Sequence, residues 1–178
     1  MRITISGPPG SGKTTVCNIL SERLNMGAVV FGNMFRSYAA ERGLTLSELG
    51  EIAEKDPSID ETIDSKILEI AKSNDRMIFE SRLSAHMLRR NNIPAFKVYL
   101  DACPKERVRR IGIRDGESVC DAERNTCVRQ DSESKRYMQY YGIDINDLSV
   151  YDLVVNTNDL TPEQVADTII RAMKVRPR

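Results

Sequence analysis

Eight consecutive residues near the start of the chain, Gly7-Pro8-Pro9-Gly10-Ser11-Gly12-Lys13-Thr14, fit the pattern G-x-x-x-x-G-K-[ST] at every fixed position. Glycines in such a loop permit backbone conformations that aim successive N–H groups inward. The helix that follows adds its positive end, and both suit a run of phosphates. Lys13 is placed to reach the β and γ phosphates of a nucleoside triphosphate, and the Thr14 hydroxyl suits Mg²⁺. Gly7, Pro8, Pro9, Gly10, Ser11, Gly12, Lys13, Thr14 and Thr15 therefore form the candidate triphosphate site. Glu80, closing a later apolar run, is the first choice of acid to hold metal water or position an acceptor, and Asp101 is the second. Eighteen of the 26 basic residues are arginines, several of them between Arg107 and Arg136. Arginine is the residue that grips oxyanions two oxygens at a time.

Other chemistries are thinly represented. His86 is the only histidine, and it reads as a surface or partly buried helical residue, which disfavours a histidine-based triad. Cys17, Cys103, Cys120 and Cys127 contain no C-x₂-C pair and no zinc-site spacing. They read as reduced thiols.

The loop must sit between a strand and a helix, and the flanking sequence supplies both. Arg2 to Ser6 reads as a strand, and Lys13 to Leu24 as a helix with Val16, Ile19, Leu20 and Leu24 on one side. Gly27 ends it, and Ala28-Val29-Val30-Phe31 reads as a second strand stopping at Gly32. Helical stretches follow over 33–42, Leu46 to Lys55 and Ile59 to Ser73, with Pro57 between the last two. Arg76 to Glu80, Phe96 to Leu100 and Asp152 to Asn156 read as further strands. A helix near Ala85 to Arg90 and two basic helices flanking Arg114-Asp115-Gly116 lie between them. Thr161-Pro162-Glu163 opens the last helix. Strands alternating with helices predict an α/β fold with a five-stranded parallel sheet and helices on both faces.

The chain has 178 residues, 26 basic against 26 acidic side chains, and no net charge. That length suits one domain, and 40 % hydrophobic with 29 % charged residues are ordinary globular values. Neutrality argues against wholesale nucleic-acid binding. No apolar run reaches the ~18 residues of a membrane span, and no signal-peptide pattern precedes the first strand, so the expected location is the cytoplasm. Residues 41 to 64 are acidic, and read as a solvated helical face. No N-K-x-D motif is present, which disfavours a GTPase.

Beyond the phosphate loop, the chain resembles the nucleoside monophosphate kinases, and within them the archaeal-type cytidylate kinases. The resemblance rests on Phe31-Gly32-Asn33-Met34-Phe35-Arg36, on Asp56-Pro57-Ser58-Ile59-Asp60, on Phe79-Glu80-Ser81-Arg82-Leu83, and on the long run from Tyr141 to Thr157. It implies the phosphate-loop kinase fold over residues 1–178 as a single domain. Acceptor-binding helices would occupy about 33–73 and a mobile lid about 107–136, with Gly112 and Gly116 allowing movement. Gly32, Arg36 and Arg82 would hold the acceptor monophosphate. Arg110-Ile111-Gly112-Ile113-Arg114 is similar to the lid motif R-x-x-x-R, which puts Arg110 on the donor adenine and Arg114 on the transferring phosphates. Arg129, Glu133 and Arg136 resemble a further segment, with the two arginines on phosphates and Glu133 near the acceptor sugar; helical spacing puts all three on one face. Asn33 stands where related kinases often carry an acid, and Ser81 where archaeal relatives commonly show glycine.

The resemblance implies Mg-ATP as donor, CMP or dCMP as acceptor, catalysis by Lys13, Arg110, Arg114 and Arg129, metal held through Thr14 and Glu80, and a monomer with no nucleic-acid or membrane partner. An adenylate kinase is the rival within the class, and an RNA-associated ATPase is the rival outside it.

Overall fold

A computed structural model describes residues 1–175. The chain forms strands β1 (Arg2–Ser6), β2 (Gly27–Val30), β3 (Met77–Glu80), β4 (Phe96–Asp101) and β5 (Leu153–Asn156). Between and after them run helices α1 (Lys13–Leu24), α2 (Phe31–Glu41), α3 (Leu46–Ala53), α4 (Ser58–Ser73), α5 (Ser84–Arg90), α6 (Pro104–Asp115), α7 (Val119–Tyr141) and α8 (Pro162–Val175). A 3₁₀ turn spans Leu148–Val150.

The five strands are parallel in the order β2-β3-β1-β4-β5. Ile3 lies between Ile78 of β3 and Phe96 of β4, and Ile5 lies opposite Glu80. Strand β1 is thus central and buried, as its sequence Ile3-Thr4-Ile5-Ser6 requires of a parallel strand covered on both faces. Its carboxyl end faces the crevice where such sheets bind ligands.

On one face, Val16, Cys17 and Leu20 of α1 pack with Val165, Ala166 and Ile169 of α8 against the sheet. On the other, Ile63 and Ile67 of α4 join Phe79, Leu83, Leu88 and Tyr137. Ala39, Leu49, Ala53 and Ile59 bind α2, α3 and α4 together. Val108, Ile111 and Ala122 make a separate small cluster between α6 and α7.

Several helix ends follow directly from the sequence. Asp56 accepts a 3.0 Å hydrogen bond from the Ser58 N–H where α4 begins after Pro57. Thr161 and Gln164 cap α8 reciprocally: the Thr161 N–H donates to the Gln164 side chain and the Gln164 N–H to the Thr161 hydroxyl. One boundary is moved. Phe31, expected to end β2, instead begins α2. Val30 already pairs with Glu80, the last residue of β3, so a further strand residue has no partner, and Phe31 turns into the second core cluster. Arg76 likewise falls before β3 and donates to the Leu24 carbonyl at 2.6 Å, and Asp152 falls before β5. The remaining ends differ from expectation by a residue or two, the usual fraying of helix and strand termini.

Candidate active site

The phosphate loop is built by close approach. Gly7, at φ 146°, would place a Cβ 2.1 Å from the Leu100 carbonyl oxygen. Gly10, at φ 80°, would place one 2.6 Å from the Arg107 carbonyl oxygen. Only glycine fits either place. Helix α1 then starts at Gly12 with no side-chain cap and no acid in its first turn. Its free N–H groups are left to face an anion.

Lys13 is half-buried and donates to the Pro8 carbonyl at 2.8 Å. Burial pushes its ammonium down to about 7, with Arg82 and Arg129 acting in the same sense and Glu80 against them. A polyphosphate beside it adds negative charge and drives it back up. The Thr14 hydroxyl donates to Glu80 Oε2 at 3.0 Å. A hydroxyl and a carboxylate therefore share one corner, a donor set that fits Mg²⁺, which keeps much of its shell for water and phosphate oxygens. Among the described residues no group of three or more His, Cys, Asp or Glu is arranged to hold a metal.

A cavity of about 1010 Å³ opens from this loop. Pro9, Gly10, Ser11, Gly12, Lys13, Thr14 and Thr15 line one end, and Gly32, Asn33, Arg36, Glu80, Arg82, Arg110, Arg114, Arg129, Glu133 and Arg136 line the rest. Gly7 and Pro8, also expected in the triphosphate site, lie outside that lining. Asp101 lies outside that lining: it is exposed at the end of β4, where its carboxylate accepts from the Ala102 N–H. Glu80 is the strand-end acid that faces the cavity.

The arginines are held by acids. Glu133, 4 % exposed, lies between two of them, with Arg82 Nε 2.8 Å from one oxygen and Arg129 Nε 2.9 Å from the other. Burial alone would raise its pKa, but Arg129 and Arg82 hold it at about 2. Arg136, one helical turn on, places a single guanidinium nitrogen 2.6 Å from both carboxylate oxygens of Asp60, and both side chains are buried. Arg110 is anchored by Glu106 at 2.8 Å and by the Thr157 hydroxyl and carbonyl at 3.0 and 2.9 Å. Arg114 is half-exposed and pairs with its neighbour Asp115 at 2.6 Å. Arg36 reaches the Asn33 side chain at 3.4 Å. Ser81, at the exit of β3, accepts from the Leu83 N–H at 3.0 Å and so fixes the turn that carries Arg82.

Two sequence expectations are corrected here. The acidic stretch 41–64 is not uniformly a solvated face: Asp60 and Asp64 are 3 % and 6 % exposed and line the cavity. Their spacing, beside Ile59, Ile63 and Ile67, was a usable signal, because it puts both acids next to the buried stripe of α4. Gly112 is a packing residue and no free joint, since a Cβ there would meet the Glu117 carbonyl at 3.1 Å; Gly116, at φ 69° with nothing near it, is the open one. The sequence reading also missed Tyr137, Tyr141 and the Asn158-Asp159-Leu160 segment by Arg110. His86 is buried more deeply than expected, edge-on to Tyr151 and outside the cavity. Cys17 is buried and Cys103, Cys120 and Cys127 are exposed, all as free thiols.

The chain is similar to known proteins over nearly its whole length. A cytidylate kinase from Halobacterium salinarum is 41 % identical over 173 residues, 97 % of this chain and 89 % of that protein. One from Methanothrix thermoacetophila is 44 % identical over 177 residues, 98 % of this chain and 100 % of that protein. The shikimate kinase structure from Aquifex aeolicus superposes with a TM-score of 0.60 at 18 % identity, covering 98 % of this chain and 96 % of that one, a likeness of fold alone. The model of the cytidylate kinase-like family matches residues 2–159, and with relatives this similar over nearly its whole length the chain belongs to the cytidylate kinase-like family.

Proposed function

We propose that the protein transfers the γ-phosphoryl group of ATP to the phosphate of CMP or dCMP, giving the diphosphate and ADP. The observation that carries this reading is the placement of Lys13, Arg36, Arg82 and Arg129 around one cavity that begins at an uncapped helix N-terminus. A donor triphosphate alone would not need so many cations, whereas two phosphorylated nucleotides meeting end to end would.

In this reading a phosphate oxygen of CMP bonds to the γ phosphorus while its bond to the bridging oxygen breaks and ADP leaves. No general base is needed, because a nucleotide phosphate is already a nucleophile at neutral pH. Pro9 to Thr15 hold the donor phosphates, and Lys13 follows the charge on the moving group. Gly32, Arg36, Arg82 and Arg129 orient the acceptor phosphate in line. Glu133 holds Arg82 and Arg129 through its two oxygens and meets the acceptor sugar, and Arg136, expected on a phosphate, instead braces Asp60. Arg110 is fixed where it can stack on adenine, and Arg114 completes the clamp. Mg²⁺, held through Thr14 and Glu80, neutralises charge on the β and γ phosphates when bound.

Acceptor-binding helices occupy about 33–73 of the single domain. Within the expected lid of about 107–136, the α6–α7 elbow around Gly116 is the part that moves, while Arg110, Arg129 and Arg136 stay tied to Thr157, Glu133 and Asp60. The separate Val108–Ile111–Ala122 cluster supports this, since it lets the elbow of α6 and α7 keep its own packing while it moves. No helix among the described residues is long and apolar enough to cross a membrane, and the cytoplasm is the proposed location of an activity that uses free nucleotides.

The test is ADP release from Mg-ATP with CMP, dCMP, UMP, AMP and GMP offered separately. Turnover led by CMP and dCMP supports the assignment. Turnover led by AMP, or no acceptor-dependent release, overturns it.

A further inference from the structure

Charge is sorted along the cavity, and α7 is the ruler. Gln130 meets Arg107 beside the phosphate loop. Arg129 and Glu133 follow within the cationic cage. Arg136, Tyr137 and Tyr141 lie progressively farther on, at a rise of about 1.5 Å per residue. Beyond Arg129 and Glu133 the cavity wall takes in Phe31, Phe35, Ile63 and Tyr137, with two carboxylates among them: Asp60, paired with Arg136, and Asp64. Apolar faces beside a few fixed polar groups are what a nucleobase requires. Carboxylates at that end repel a phosphate and suit a ligand edge rich in donors.

The two acids are not equivalent. Both oxygens of Asp60 are engaged by Arg136. Asp64 lines the cavity and accepts a single hydrogen bond, from the Tyr141 hydroxyl to Oδ2 at 3.1 Å. Its second oxygen is left for a ligand.

We propose that Asp64, steadied by Tyr141, reads the acceptor base, its carboxylate accepting a hydrogen bond from the exocyclic amino group of cytosine and repelling the carbonyl oxygen that uracil carries at the same position. This rests on the CMP kinase reading above and adds the group that separates CMP from UMP.

Protonation controls the discrimination. At the free oxygen a neutral carboxyl can donate its proton to the uracil carbonyl or accept from the cytosine amino group, so it takes both bases; the ionised form can only accept, which favours cytosine. Burial raises Asp64 to about 7, and the Asp60 and Glu133 charges act in the same sense, against the Tyr141 hydrogen bond and Arg136. Tyr137 packs beside it from α7 and Arg36 lines the same cavity from α2. The other neighbours of α4 direct their charges elsewhere: Arg89 and Arg90 of α5 bind the carbonyls of Ser149, Tyr141 and Gly142, and Glu54, following α3, binds Lys135. Selectivity for CMP is therefore present above the folded pKa of Asp64 and lost as pH falls through it.

The experiment compares kcat/KM for CMP and for UMP from about pH 6 to about pH 8.5 in the wild type and in Asp64→Asn, with folding followed by circular dichroism. The ratio cancels every group common to both substrates, including their phosphates. In the wild type it should rise with pH by about 10-fold or more, since a hydrogen bond to a charged group carries that much discrimination. In Asp64→Asn, Tyr141 should hold the amide oxygen and turn the NH₂ to the ligand, lowering the CMP to UMP ratio by about 10–100-fold and flattening its pH profile. The KM for ATP should not change. An unaltered ratio in Asp64→Asn, or a flat wild-type profile, overturns the assignment of Asp64 while CMP turnover still stands. If Asp64→Asn fails to fold, the wild-type profile decides alone. Wild-type protein without CMP turnover refutes the kinase reading instead.

Discussion

The Asp60–Arg136 pair is the strongest single electrostatic commitment in the acceptor half, and breaking it should cost stability in a defined pattern. Arg136 is 2 % exposed and Asp60 3 % exposed, with one guanidinium nitrogen 2.6 Å from both carboxylate oxygens. Arg136 also donates to the Ser132 carbonyl and sits 5.4 and 5.6 Å from the ring centres of Phe35 and Tyr137. Removing one member of a buried pair leaves the other charge unpaired, at about 3–5 kcal/mol. For a chain of this length that corresponds to about 6–20 °C in Tm. Asp60→Asn should fall in that range. Arg136→Met should fall toward its lower half, because Asp60 can then take up a proton, whereas a guanidinium cannot lose one. The double variant should recover much of the loss, giving a coupling energy of about 2 kcal/mol or more in a cycle of urea-unfolding measurements. Single losses below about 1 kcal/mol, or additive effects, would refute the reasoning: the pair would then be solvated in solution and not a fixed wall of the site.

Other outcomes follow from the same geometry. Lys13→Ala should lower kcat by about 10²-fold or more while shifting stability by less than about 1 kcal/mol, since its one hydrogen bond is to a loop carbonyl; retained turnover in a coupled ADP assay would remove Lys13 from the reaction. Arg82→Ala should raise the KM for CMP much more than that for ATP, and equal changes in both would place Arg82 outside the acceptor half. Gly10→Ala should cost at least about 1 kcal/mol and weaken ATP binding, because the new methyl would stand 2.6 Å from the Arg107 carbonyl oxygen; unchanged nucleotide affinity by calorimetry would contradict that clash. Asp64 is raised in the folded state to about 7, chiefly by burial, so between its unfolded value near 4 and pH 7 the native state holds the extra proton. Stability from this group is therefore full at low pH and declines as pH rises through 7. Asp64→Asn should raise Tm at pH 8 more than at pH 5, and an equal change at both pH values would show that Asp64 is not strained in its ionised form.

How much of this was legible depended on whether the signal was local. The phosphate loop was fully legible because its chemistry is confined to consecutive residues whose backbone must approach Leu100 and Arg107 closely. The strands were legible from short β-branched runs. The end of β2 was not, because it is set by where β3 runs out, at Glu80 opposite Val30. Arg129, Glu133 and Arg136 were legible as one helical face, but that two buried carboxylates meet this face was not. Asp60 and Asp64 belong to an acidic stretch whose other members, such as Glu41, Glu51 and Glu61, are exposed. Only the packing of α4 against α7 separates buried acids from solvated ones. The same limit hid Tyr141, whose hydroxyl matters only because Asp64 lies opposite.

The arginines show how the site can be stiff and still close. Arg82, Arg129 and Arg136 are each tied to buried acids, so the acceptor cage is preorganised and binding need not order those side chains. Arg110 is tied as well, to Glu106 and Thr157, which fixes the donor side. Arg114 is tied only to the adjacent Asp115, half-exposed. An exposed pair of this kind contributes about 0–1 kcal/mol, less than a charged hydrogen bond to a phosphate returns. Arg114 can therefore be recruited by a nucleotide with little opposition. It lies next to Gly116, whose left-handed backbone ends α6 with open space around it. A half-exposed ion pair and an unobstructed glycine thus fall together at the tip of the proposed lid. Closure there would exchange Asp115 for the transferring phosphates at Arg114 and leave the rest of the cage in place.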